Sequence, residues 1–143
     1  MLALARTDLA CYALAHHPSF ELPPFLDLVI RKLEAVKRGE IKRLILSMSP
    51  RHGKSLIAST YFPSMYLGTF PDRYVIGASY GQDLADDFGR RVRNTVASPL
   101  HRAILPESKI ADDSAAAHRF NLTVGGAYFA VGRELQSLAA ALT

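Results

Sequence analysis

The stretch Ser49-Pro50-Arg51-His52-Gly53-Lys54-Ser55 constrains this chain more than any other. An aliphatic run, 41–48, ends directly before it. A run this short, closed by a turn signal, predicts a buried strand. From Lys54 to about Leu67 the pattern is helical, with Gly68 as its stop and Pro63 set to kink or shorten it. A strand, a tight loop and a helix in this order form a phosphate-binding device. Gly53 sits where the chain must turn sharply and where backbone N–H groups must face an anion. Lys54 brings an ammonium to the outer phosphates, and Ser55 offers a hydroxyl to Mg²⁺. The positive end of the helix points at the same anion. Gly53-Lys54-Ser55 is the end of the pattern G-x-x-x-x-G-K-[ST], and Met48 stands where its first glycine belongs. The competing reading, a surface loop with a chance lysine, does not account for the elements on either side.

The rest of the chain extends this α/β pattern. Residues 2–15 predict a first helix. A second opens at Pro24 and carries Phe25, Leu28, Val29, Leu33 and Val36 at helical spacing, with Gly39 as its left-handed cap. Residues 73–80 predict a second strand, so 41–80 reads as a right-handed, parallel βαβ unit. Gln82 to Ala97 is a further helix with Leu84, Ala85, Phe88, Val92 and Val96 on one face. Residues 98–119 read as irregular, with a short helix near 100–105. Gly125-Gly126 between 120–123 and 128–131 predicts a β-hairpin, and 133–143 reads as a helix rich in Ala and Leu.

The 143 residues amount to one domain, long enough to bury a core. A formal net charge of +4 favours polyanionic partners, DNA or nucleotide. A single cysteine, Cys11, excludes an intramolecular disulfide and fits a reducing compartment. No stretch approaches a membrane span, and Asp8 interrupts the apolar N-terminus, which reads as an amphipathic helix and not as a signal peptide.

The stretch 43–55 is similar to the deviant Walker A of tailed-phage terminase large subunits, which carry an arginine in the loop and tolerate loss of the first glycine. Phe62-Pro63-Ser64-Met65-Tyr66-Leu67-Gly68, Ala78-Ser79-Tyr80 running into Asp83-Leu84-Ala85, Phe88-Gly89-Arg90-Arg91-Val92-Arg93 and the hairpin around Gly125-Gly126 resemble the same family. The resemblance covers about 20–132 and implies an ASCE-type P-loop NTPase, a parallel sheet flanked by helices. It divides the chain into a helical lead-in at 1–40, a partial ATPase core at 41–132 and a divergent helical tail at 133–143. It implies ATP and Mg²⁺ as cofactors, with Pro50, Arg51, His52, Gly53, Lys54 and Ser55 as the nucleotide-binding loop. Lys54 and Arg51 would be catalytic, Arg51 as a charge stabiliser at the γ-phosphate, and Ser55 would carry the metal contact. The partners it implies are double-stranded viral DNA, a terminase small subunit and the procapsid portal, with room for a homo-oligomer, in the cytoplasm of a host bacterium.

Beyond Gly132 that family continues into an apolar strand ending in paired acids, and 133–143 bears no resemblance to it. The expectation is a chain cut short before its Walker B element and its nuclease, and inactive alone. Asp86-Asp87 and Asp112-Asp113 read as solvated acids, the latter with no strand to place them. Arg90, Arg91 and Arg93 read as a solvated helix face, Tyr80 as packed, and the histidines have no metal-ligand spacing. A fragment of another P-loop nucleic-acid ATPase, or a basic non-enzymatic DNA- or partner-binding remnant, stand as the alternatives.

Overall fold

The computed structural model describes residues 2–48, 53–116 and 118–132, without the side chains of 113–115. The tail at 133–143, expected as a helix, lies outside them. The chain is α/β: a four-stranded mixed sheet in the order β1-β4-β3-β2 with helices packed against it. The strands are β1 (Tyr74–Ser79), β2 (Ile110–Ala115), β3 (Arg119–Leu122) and β4 (Ala127–Gly132). Only β1 and β4 run parallel; β3 pairs antiparallel with both β4 and β2. The hairpin around Gly125-Gly126 therefore forms as its turn residues dictate. The expected parallel sheet is a mixed one, with the hairpin strands β3 and β4 built into it.

Residues 41–48 form no strand. Their alternation is strand-like: Leu44, Leu46 and Met48 pack against the helical core, while Arg43, Ile45 and Ser47 face out. They pair with no described strand, and Ile45 is 93% exposed. Periodicity fixes which side chains turn inward; a strand also needs a partner for its N–H and C=O groups. The βαβ unit expected over 41–80 is thus absent, and the one parallel crossover joins β1 to β4. Residues 98–119, expected as irregular, supply β2 after the short helix. Asp112 stands on that strand, exposed.

The N-terminal helix divides into α1 (Leu2–Ala5) and α2 (Leu9–His16), because the Asp8 carboxylate accepts from the Cys11 N–H and caps a new helix. The helix α3 (Pro24–Lys37) starts on its proline and ends before Gly39, whose φ of +81° is the left-handed cap expected there. The run 54–69 is helical throughout, as α4 (Lys54–Leu56), a π segment (Ile57–Tyr61) and α5 (Phe62–Thr69). In the π segment the Phe62 N–H reaches the Ile57 carbonyl. One wide turn just before Pro63 accommodates its missing donor, so the helix continues through the proline instead of stopping.

Two cores result. Ala5, Leu9, Tyr12, Val29, Ile30 and Leu33 pack with Ile57, Tyr61 and Met65 in an all-helical cluster. The helix α6 (Gln82–Ala97) lays Ala85, Val92 and Val96 on Phe120, Leu122, Tyr128 and Ala130 of the sheet. Leu84, expected on that face, is exposed. On the opposite sheet face Tyr74 is 66% and Ile76 67% exposed, and Phe129 is half-buried between Tyr74 and Arg119. Among the described residues no helix is long and apolar enough to cross a membrane.

A buried polar chain ties the N-terminal helices to α7 (Pro99–Ile104). The Tyr12 hydroxyl lies 2.6 Å from His101 Nδ1, and His101 Nε2 lies 2.5 Å from Ser108 Oγ. The Ser108 hydroxyl donates onward to the Leu105 carbonyl at 3.2 Å. These partners assign the neutral imidazole with its proton on Nε2: Ser108 accepts there, and Tyr12 donates to Nδ1. Burial, helped by nearby His16, lowers the His101 pKa to about 4. The unfolded chain binds this proton near pH 6.5, so stability is complete above that pH and is lost as pH falls toward 4. We expect a slope of about 1.4 kcal/mol per pH unit and a total near 3 kcal/mol. Urea unfolding between pH 7 and pH 4 reads it directly. The variant His101→Gln should be less stable at pH 7 and should lose most of the slope.

Candidate functional site

Of the loop expected to bind phosphate, the described residues include Gly53 and the helix start behind it. Gly53 takes φ +81° and ψ 0°, and its carbonyl accepts the Ile57 N–H at 3.1 Å to open the helix. A Cβ on Gly53 would lie 3.1 Å from Phe20 Cζ and 3.2 Å from Leu26 Cδ1. Both the dihedral and the space thus select glycine, and the position is wedged against the lead-in before α3 and against α3 itself. Lys54 follows, half-buried, and Ser55 is exposed. Pro50, Arg51 and His52 lie outside the described residues.

Ser55 opens onto a cleft of about 500 Å³ between the helical run 54–69 and strand β1. Ser59 and Phe62 line it from the helix, Ser79 from the carboxyl end of β1, and Phe88 from α6. Ligands of open α/β sheets collect beyond the carboxyl ends of parallel strands. Here β1 and β4 end together, at Ser79 and Gly132. Gln82 fixes that end: its Oε1 accepts from the Gly132 N–H at 2.9 Å, and its Nε2 donates to the Ala130 carbonyl at 3.1 Å and to Asp86 at 2.8 Å. Ser59, Ser79 and Gln82 escape a reading by motif. Helical spacing from Ser55 finds Ser59, but the roles of Ser79 and Gln82 depend on a parallel pair formed between residues far apart in sequence.

The other candidates fall away from the cleft. Asp86 is held by Gln82, and Asp87 is paired with Arg90 at 2.7 Å on the outside of α6. Among the described residues no cluster of His, Cys, Asp and Glu could hold a metal ion. His101 is a buried structural group. Tyr80, expected to pack, is 79% exposed just past the end of β1.

Comparison with protein-family models, with curated proteins and with solved structures finds no match to this chain.

The wedge at Gly53 makes a sharp test of the loop's construction. Gly53→Ala introduces a side chain at positive φ against two packed hydrophobes, and we expect a loss of about 1–3 kcal/mol in chemical denaturation. Gly39→Ala, also at positive φ but with open space around it, should cost about 1 kcal/mol, from backbone strain alone.

Proposed function

We propose that this chain is the nucleotide-binding part of an ATP-driven DNA-packaging motor, the N-terminal ATPase portion of a terminase-type large subunit built on a P-loop NTPase scaffold. The observation that carries the reading is the left-handed Gly53, followed without a gap by a helix beginning at Lys54 and opening onto the cleft beside β1. A backbone turn free of side chain, a lysine and a hydroxyl at one helix start have the donor chemistry of a triphosphate and its magnesium ion. The ordered motif similarities from Phe62 to Gly132 support the same reading.

In this reading Gly53 keeps a side chain out of the turn that faces the phosphates. Lys54 holds the outer phosphates, and the Ser55 hydroxyl is the protein's oxygen toward Mg²⁺. The nucleotide supplies the transferable phosphoryl group, and the metal neutralises part of its charge. Arg51 would add charge stabilisation from the loop. Transfer to water also needs a group to orient that water. The described lining of the cleft contains no carboxylate to do so.

Two outcomes follow. Mg·ATP should bind measurably by isothermal titration calorimetry, and Lys54→Ala should abolish the heat; equal heats for both proteins would overturn the assignment. Steady-state phosphate release should be far below the per-second turnover of working enzymes, with or without double-stranded DNA. DNA-stimulated turnover near that rate, lost in Lys54→Ala, would mean that a general base is present after all.

A further inference from the structure

Strand β1 is the last strand of its sheet, and no described residue hydrogen-bonds along its outer side. Its sequence, Tyr-Val-Ile-Gly-Ala-Ser, has no charge, no proline and no β-bulge, the features that ordinarily blunt a sheet edge. A groove follows this edge. It consists of two adjoining clefts of about 470 and 500 Å³ that share Phe62, Pro63 and Val75. Phe62 and Pro63 form one wall, Ile41 and Lys42 form a rim, and Tyr74 and Ile76 lie exposed along the strand.

The groove is electrically polarised. At the amino end of β1 its described lining holds Lys37, Lys42 and Arg73 and no acid. Arg73 stacks on the Phe70 ring at 3.9 Å and donates to the Tyr66 hydroxyl at 3.3 Å; Lys37 donates to the Thr7 carbonyl at 3.3 Å. Among the described residues none of these three cations forms an ion pair, and Lys42 and Arg73 are exposed. At the other end the lining is Ser55, Ser59 and Ser79.

We propose that this edge is a docking site for an extended segment of a partner protein, added to the sheet as a strand beside β1, with alternating apolar residues and acidic side chains at the end that meets Lys42 and Arg73. Backbone pairing supplies the affinity and the alternate side chains supply the selectivity. A slender strand suits the site better than a second copy of the chain. The edge lies between the rim at Ile41 and Lys42 and the wall at Phe62 and Pro63, so an occupant must fit between them. The proposal does not depend on nucleotide binding at Lys54.

The test uses the full chain and a fluorescein-labelled peptide of alternating Val and Thr with two Asp at one end, read by fluorescence anisotropy. We expect saturable binding. Methylating the peptide's backbone nitrogens one at a time should abolish binding at every second position only, because only alternate N–H groups face the added edge. The double charge reversal Lys42→Glu with Arg73→Glu, both exposed and so tolerable for folding, should weaken the acidic peptide about tenfold. The same peptide with Lys in place of Asp should recover affinity for that variant. Absence of binding, or binding indifferent to N-methylation, overturns strand addition. A stable dimer in sedimentation that excludes the peptide would make a second copy the occupant and overturn the proposal. Displacement of the peptide by oligothymidylate with no charge-swap rescue would do so in favour of a nucleic-acid groove.

Discussion

The helical run 54–69 is shared by two cores, and the rest of the molecule is arranged around that sharing. Ile57, Tyr61 and Met65 are buried among the N-terminal helices, while Leu67, two residues further on, is buried with α6 and the sheet. Large buried side chains of this kind contribute roughly 1.5–3 kcal/mol each, enough that neither cluster can be rearranged without moving the other. The start of the run is fixed in the same way. Gly53 is held against Phe20 and Leu26, so the lead-in and α3 determine where Lys54 and Ser55 point. The apolar packing thus gives the helix start at Lys54 a fixed place relative to the carboxyl end of β1.

How much of this was legible in the sequence depended on how local each cause was. The caps and turns were readable because they act over a few residues: Pro24 opening α3, Gly39 ending it, and Gly125-Gly126 turning between β3 and β4. The helix α6 was readable for its length and periodicity, although Leu84 shows that the apolar stripe is narrower than the sequence suggests. The strand expected at 41–48 failed for an instructive reason. Leu44, Leu46 and Met48 do pack inward, but pairing is a relation between two segments, and one segment's pattern cannot supply the second. The break at Asp8 was noticed as an interruption of an apolar run, whereas its effect as a helix cap needed the Cys11 amide in place.

The candidate site divides along the same line. Gly53, Lys54 and Ser55 announce themselves as a motif, and their geometry agrees with the requirement for a left-handed glycine at a helix start. Ser79 and Gln82 carry no signal of their own. They matter because β1 and β4 finish side by side, a contact between residues some fifty positions apart. His101 carries the opposite lesson: a histidine in a short helix has no special sequence signature, yet it becomes the centre of a buried hydrogen-bond chain once α2 and α7 meet.

The single wide turn at Ile57–Tyr61 works as a phase adjuster. Each residue of an α-helix advances about 100° around the axis, so a turn with one extra residue rotates everything before it relative to everything after by about that angle. The part of the helix that carries Ser55 is thereby turned toward β1, while the part that carries Met65 and Leu67 keeps its own heading into the cores. Removing one residue from this turn would restore an ordinary helix and leave Met65 and Leu67 in place, but it would swing Ser55 about a quarter of a revolution off the cleft. The position of Ser55 beside the sheet is held in the length of one helical turn as much as in the identity of the residues around it.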